Sequence, residues 1–257
     1  MVTGGAHGIG RALVESCAAR GARVAALDLD TDALAQLSPR VMAIPCDVRD
    51  PAALASAAAA VAAQLGPVTL VVACAGVAVA GSVEALTSAQ LERAMAVNYW
   101  GVVHTCRTFL PALRAVGTAG RPVHLGVVLS EFALFVLPTK AAYAASKHAA
   151  HAFTLALAAE MAGSGVHVTA VYPGATATAF ITRGEASDGP RQAREAAIVA
   201  RGMSPARVAA RILRGLERGR ARVLVGVDTW AVAIAMGWAP RLTQWAVRRW
   251  ARHLPFL

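Results

Sequence analysis

The sequence predicts a doubly wound, mostly parallel α/β sheet in three layers, with helices covering both faces. Three observations predict it. Short apolar runs alternate with longer segments of helical period along almost the whole chain. A glycine-rich turn, Thr3-Gly4-Gly5-Ala6-His7-Gly8-Ile9-Gly10, opens the sequence. At 257 residues, 56% of them hydrophobic, there is material for one large α/β core.

Taken in order, strands are expected at residues 22–27, 41–44, 68–74, 122–129, 166–172 and 222–225, and helices at 11–20, 51–65, 88–113, 141–161 and 205–217. Alternation of this kind buries both faces of a sheet, which is why its strands read as continuous apolar runs. The first strand is the anomaly. Only Met1 and Val2 precede Thr3, so the strand expected before the glycine turn is either very short or begins upstream. A missing central strand would leave its neighbours with unpaired backbone groups. The uncharged residues around 51–83 are cut by Gln64-Leu65-Gly66-Pro67 into an alanine-rich helix and a valine-rich strand, and read as core instead of a membrane span.

Cys17, Cys46, Cys74 and Cys106 lie in apolar runs without C-x-x-C or Cys/His ligand spacing, and the histidines are scattered. No metal and no disulfide framework is expected. No charged segment followed by an apolar one opens the chain, so a cytoplasmic setting is the expectation. The net charge of +10 is unevenly placed, +1 over residues 1–182 and +9 over 183–257. Such asymmetry marks an anionic partner or an arginine-rich codon bias.

Glycines at Gly4, Gly8 and Gly10 let a backbone approach a pyrophosphate, whose charge the amides of a following helix N-terminus can meet. Asp28, twenty residues past Gly8, can accept both hydroxyls of an adenosine ribose and would repel a 2′-phosphate, which favours NAD over NADP. A protonated His7 would argue the other way. Asp28 could instead cap a helix, since Asp30 and Asp32 stand beside it.

The spacing Tyr143-Ala-Ala-Ser-Lys147 places a phenol and an ammonium on one helix face, thirteen residues after Ser130. A nearby cation favours the phenolate, bringing a group that ordinarily titrates near pH 10 toward useful acid/base chemistry. With 23 arginines and only Lys140 and Lys147 as lysines, arginine is this chain's default cation and a lysine needs a reason. An ordinary pair on a solvated helix face is the plain alternative.

Together these residues resemble the short-chain dehydrogenase/reductase family, over residues 3–225. Thr3-Gly4-x-x-x-Gly8-x-Gly10, with His7 and Ile9 inside it, resembles the family's cofactor turn. Asp47-Val48 resembles its adenine-contacting pair, Asn98 its active-site asparagine, and Ser130, Tyr143 and Lys147 its catalytic set. Pro173-Gly174 with Thr178 resembles the turn beside the nicotinamide. The resemblance implies a Rossmann-type fold and hydride transfer between NAD and a hydroxyl/carbonyl pair. Tyr143 would move the proton and Ser130 would bind the substrate oxygen. Lys147 would hold the ribose and lower the phenol's pKa, and Asn98 would position a water behind Lys147. One departure stands out: Ala73-Cys74-Ala75-Gly76 replaces the usual Asn-Asn-Ala-Gly, losing amide side chains that brace the sheet. Singly, Ser130 could end a strand, Asn98 could satisfy buried backbone, and Thr178 could cap a helix.

Residues 175–203 correspond to the family's substrate lid. Glu131 and the apolar Phe132, Leu134, Phe135 and Leu137 are expected near the substrate, pointing to a hydrophobic alcohol or ketone. The organisation expected is a catalytic domain over 1–227 and a helical extension over 228–257. That extension holds Trp230, Trp238, Trp245 and Trp250 interleaved with arginines. Arg241, Arg248 and Arg252 group on one side of a helix and Val247, Trp250 and Leu254 on the other. The extension packs on the subunit, on an oligomer partner (the family implies a dimer or tetramer), or on an anionic membrane through residues 238–257. Nucleic acid is not expected. The alternative to an enzyme is a non-catalytic nucleotide-binding scaffold acting through its basic tail.

Overall fold

The computed structural model describes residues 1–186 and 188–250. In chain order its elements are β1 (Val2–Thr3), α1 (Gly8–Ala19), β2 (Val24–Asp28), α2 (Thr31–Ala35), β3 (Val41–Pro45), α3 (Pro51–Leu65), β4 (Leu70–Ala73), β5 (Val79–Ala80), α4 (Ser88–Met95), α5 (Gly101–Thr118), β6 (Val123–Val128), α6 (Ala141–Glu160), β7 (Val166–Pro173), β8 (Glu185–Ala186), α7 (Gly189–Val199), α8 (Pro205–Glu217), β9 (Arg222–Val225), α9 (Val227–Trp238) and α10 (Pro240–Trp250).

Seven strands form one parallel sheet in the order β3-β2-β1-β4-β6-β7-β9, and β5 and β8 make a separate parallel pair. Alternation along each strand divides the core between the two faces. Val71, Leu125 and Val127 face a cluster that includes Leu54, Phe109, Leu113 and Leu157, from α3, α5 and α6. Val72 and Val128 face the other cluster, with Leu13 and Val14 of α1 and Ile212 and Leu216 of α8. This is a Rossmann-type, doubly wound sheet.

The first strand is very short but paired on both sides, Val2 with Ala26 and Val72, Thr3 with Leu27 and Ala73. Met1 contributes beyond the strand: its carbonyl accepts from Val72 N at 2.9 Å and its amino group donates to Leu70 O at 2.8 Å. The turn that follows Ala73-Cys74 is held through its backbone. Thr3 Oγ1 accepts from Cys74 N at 3.0 Å and Ala75 N at 3.3 Å, tying β1 to the turn after β4. Strand order reverses between β1 and β4, and in sheets of this class the crevice beyond the strand ends at that point holds the ligand.

The helix expected over 88–113 is unbroken and runs to Thr118, but it is not uniform. α4 ends at Met95, a π-helical turn covers Ala96–Trp100, and α5 runs on through Pro111 to Thr118. Helical periodicity does not register the extra residue of a π turn, which re-aims one side chain without ending the apolar pattern. The side chain re-aimed is Asn98. The division expected after residue 227 falls in the first turn of α9, where Asp228 accepts from Ala175 N at 2.8 Å.

Candidate active site

Beyond the carboxyl ends of the strands lies a cavity of about 720 Å³, well within the range of ligand pockets. All the residues singled out in the sequence for cofactor or chemistry line it, except Thr3 and Asn98. Thr3 lies behind the wall as the brace already described. Asn98 is fully buried below the floor.

One end of the cavity is built from glycine. Gly4 (φ 65°) passes so close to the next turn that a Cβ there would lie 2.8 Å from Ala75 Cα, and a Cβ on Gly10 would lie 2.0 Å from the Gly4 carbonyl oxygen. Only glycine permits this approach of β1 to the turn after β4. Gly8 (φ 50°) starts α1 facing Thr178, whose methyl lies 3.2 Å from where a Cβ would be. Thr178 also does what a cap does, its Oγ1 accepting from Phe180 N at 3.3 Å. The result is a helix N-terminus with open amides beneath a turn bare of side chains, a cradle a dinucleotide pyrophosphate fits.

At the far end of β2, Asp28 uses its carboxylate locally, accepting from Ala6 N at 3.0 Å and Asp30 N at 3.2 Å, which orients both oxygens and leaves each with a free lone pair. His7 Nε2 meets Asp30 Oδ2 at 2.8 Å, and Arg183 approaches the same oxygen at 3.6 Å. Asp30 is held below the usual carboxylate range by the Ala33 amide and then His7. Arg49 is engaged too, forked onto Asp47 through Nε and Nη2. Arg49 and Arg183, which both line the cavity, thus each lie against a carboxylate.

At the other end, α6 projects Tyr143 and Lys147 from one face, with Lys147 Nζ 5.8 Å from the centre of the Tyr143 ring. Lys147 donates to Val128 O at 3.0 Å at the end of β6, two residues before Ser130. Asn98 Oδ1 accepts from Val77 N at 2.8 Å, and its Nδ2 donates to Val77 O and to Ser146 Oγ, each at 3.0 Å. Ser146 in turn donates to the Tyr143 carbonyl at 2.8 Å, so the π turn pins the first turn of α6 to the loop after β4. Above it, a Cβ on Gly76 would lie 3.1 Å from Asn98 Oδ1 and 3.5 Å from Lys147 Nζ. Glycine leaves the gap between those two groups unobstructed.

The expected lowering of the phenol's pKa by the ammonium does not occur in the protein alone. Burial dominates and pushes Tyr143 above the ordinary tyrosine value, with the Ser130 hydrogen bond pulling weakly the other way. Burial also depresses Lys147, to about 8. Desolvation disfavours whichever form is charged, and it is the largest influence on both groups.

Aromatic rings wall the phenol on two sides: Phe132 at 6.1 Å and Phe180 at 5.9 Å between ring centres, both edge-on. Of the apolar residues expected near the substrate, Phe132 and Leu137 line the cavity, whereas Leu134 packs against the core and Phe135 stacks on the back of Phe132. A single turn of 3-10 helix over Glu131–Ala133 separates the two sets by direction. Sequence reasoning missed α7, which lays Glu195, Ile198 and Val199 along the cavity, and the buried ion pair of Glu195 with Lys140. Lys140 was singled out by rarity, but nothing near it in sequence names a partner fifty-five residues away.

Glu131 also lines the cavity, and burial, reinforced by Asp228, pushes its carboxyl up to about 7. A carboxyl whose folded pKa lies above its unfolded value stabilises the fold below the unfolded value, about 4.5, and loses that contribution as pH rises through about 7. Glu131→Gln is accordingly expected to stabilise the protein by about 1–3 kcal/mol at pH 8 and to leave it unchanged below pH 4. Thermal denaturation at the two pH values checks this.

The description short chain dehydrogenase matches residues 1–188. The oxidoreductase SadH of Mycobacterium tuberculosis is 36% identical over 246 residues, covering 91% of this chain and 88% of that protein. A short chain dehydrogenase of Burkholderia cenocepacia, solved in complex with NADP, superimposes with a TM-score of 0.79 at 27% identity over 96% of this chain and 95% of its own. A short chain dehydrogenase/reductase of Burkholderia phymatum, solved with NAD, shares the fold with a TM-score of 0.86 at 24% identity over 94% of both chains. The class defined by this fold and cavity is that of nicotinamide-dinucleotide oxidoreductases. The chain belongs to the short-chain dehydrogenase family.

Proposed function

We propose that this dehydrogenase interconverts a secondary alcohol and a ketone on an apolar substrate, with NAD as the preferred dinucleotide and Tyr143 as general acid/base. The observation that carries the reading is the convergence of the glycine cradle and Ser130, Tyr143 and Lys147 on one cavity whose reacting end is walled by Phe132 and Phe180.

The dinucleotide supplies hydride exchange at its nicotinamide ring. The chain's own residues do the rest. Gly4, Gly8 and Gly10, with Ile9 beside them, admit the pyrophosphate to the N-terminus of α1, while Asp28 accepts from the ribose hydroxyls next to the adenine and Asp47 and Val48 flank the base. Ala75, Gly76, Pro173, Gly174 and Thr178 border the nicotinamide end. Ser130 donates to the substrate oxygen and Tyr143 gives or takes its proton. Lys147, which donates to Val128 O, would gain ribose oxygens as further acceptors, which would favour its charged form and let the ammonium draw the phenol's pKa down. Asn98 holds the tyrosine's helix turn and presents Oδ1 toward the gap over Gly76, where one water can link it to Lys147. Residues 1–227 carry this chemistry and 228–257 are an addition to it.

A spectrophotometric screen of alcohols and ketones with NAD and NADP tests the proposal. NAD is expected to be preferred by about a hundredfold in kcat/KM, the scale of placing a phosphate against a carboxylate at a few kcal/mol. Asp28→Ala is expected to collapse the preference. An enzyme that used NADP equally well, or whose Asp28→Ala variant kept the discrimination, would refute the assignment of Asp28.

A further inference from the structure

Apart from Asp228, which braces the cavity-lining Ala175, the last two helices contribute no residue to the cavity wall, and they expose what a protein in water ordinarily hides. Val227, Trp230, Ile234 and Trp238 recur at helical spacing along α9 and are each more than half exposed, Trp238 at 88%. Past Pro240 the pattern continues through Leu242 and Trp245, also more than half exposed. The two helices work as one arm: Thr243 N donates to Ala239 O at 2.9 Å, and Thr243 Oγ1 donates to Ala235 O at 3.2 Å. No residue of α10 is buried. Of the apolar residues the sequence grouped on this helix, Trp250 is exposed and meets Trp245 edge-on, Val247 is half-buried, and Leu254, like Arg252, lies outside the described residues.

From this stripe and its charges we infer that the α9–α10 arm docks the protein on an anionic lipid surface. Arg241, Arg248 and Arg249 are exposed on α10, and no aspartate or glutamate follows Asp228 in the chain. Asp228 itself is occupied at the root of the arm, accepting from Ala175 N and Thr229 N. This charge pattern selects the occupant. A second copy meeting the arm across a two-fold axis would set arginines against arginines with no carboxylate on the arm to answer them, whereas an anionic headgroup layer answers all three. Tryptophans with more than half their surface exposed suit the boundary between headgroups and acyl chains, where a large ring with a polar N–H is at home. No helix among the described residues is long and apolar enough to cross a bilayer, so the contact is one of lying on the surface.

The root of the arm gives the docking a direction. Ala175, which Asp228 holds, lines the cavity, and Glu131 lines it from the turn against which α9 rests. Docking therefore brings the cavity near the lipid, which suits the apolar substrate proposed above, although the docking itself does not depend on that reading.

The test is sedimentation of the full chain with phosphatidylcholine vesicles, with and without phosphatidylglycerol, at low and high salt, in the absence of substrate. Binding to the anionic vesicles alone is expected, with loss at high salt. Replacing Arg241, Arg248 and Arg249 together by Gln is expected to weaken it about a hundredfold, and Trp238→Ser with Trp245→Ser to abolish it, both with cofactor binding and circular dichroism unchanged. Salt dependence of the unaltered protein keeps the test open should a variant fold poorly. Absence of binding, equal binding to neutral vesicles, or an oligomer that the arm variants disperse while vesicle binding persists would overturn the inference, the last assigning the face to a second copy.

Discussion

Tyr143→Phe is expected to lower kcat by about 10²–10⁴-fold while leaving the dissociation constant for the dinucleotide within about threefold of its original value. The substitution removes one oxygen from a ring whose position is fixed independently of it: Phe132 and Phe180 pack on its edges, and Ser146, itself held by Asn98, binds the backbone of its turn. Geometry therefore survives and only the proton carrier is lost. A nucleotide-binding scaffold working through its basic arm would have no turnover to lose, so the size of the fall separates the two functions. Burial has a second consequence. Because it raises the phenol and depresses Lys147 to about 8 in the protein alone, the acid/base pair depends on what the lysine meets in the complex. Stopped-flow measurement of proton release against hydride transfer, in Tyr143→Phe and the unaltered enzyme, checks the assignment. Full activity in the variant would remove Tyr143 from the chemistry.

What the sequence made legible was local. The i, i+4 spacing of Tyr143 and Lys147 survives intact because a helix alone determines it, and α3 and α8 begin and end as expected because Pro51 and Pro205 open them. The glycines of the cofactor turn were readable for a similar reason: their positions serve a close backbone approach within a few residues. What was not legible required two distant segments at once. The π turn around Asn98 is specified by Val77 and Ser146, neither adjacent in sequence. Thr3 holds the turn after Ala73-Cys74 from about seventy residues away, a contact the local sequence of that turn does not announce. The expected lowering of the Tyr143 pKa was reversed because proximity of charges is written in the spacing, whereas desolvation is a property of the folded interior.

Breaking the ion pair of Lys140 and Glu195 is expected to have the other large effect. Both side chains are almost wholly removed from water, 5% and 12% exposed, and each lines the cavity. Lys140 stands at the position preceding α6, three residues before Tyr143, and Glu195 belongs to α7, which has no buried residue of its own. The pair fastens this helix over the reacting end, beside the bonds that Gln192 donates to the Ile181 and Gly184 carbonyls. Lys140→Met leaves the Glu195 carboxylate buried and unanswered, a change that costs about 3–5 kcal/mol. Because α7 contributes little else to the core, it can relieve that cost by lifting off, with no need for the whole chain to unfold. The expected result is a large rise in KM for the substrate, cofactor affinity unchanged, and hydrogen exchange accelerated in α7 with the central strands still protected. Lys140→Met combined with Glu195→Leu removes both charges, and replacing a buried pair by apolar residues of similar size is often neutral or stabilising. That double variant is expected to recover most of the α7 protection. If the single variant slowed turnover yet left exchange in α7 unaltered, the pair would be acting on the substrate itself and not as the fastening of the helix.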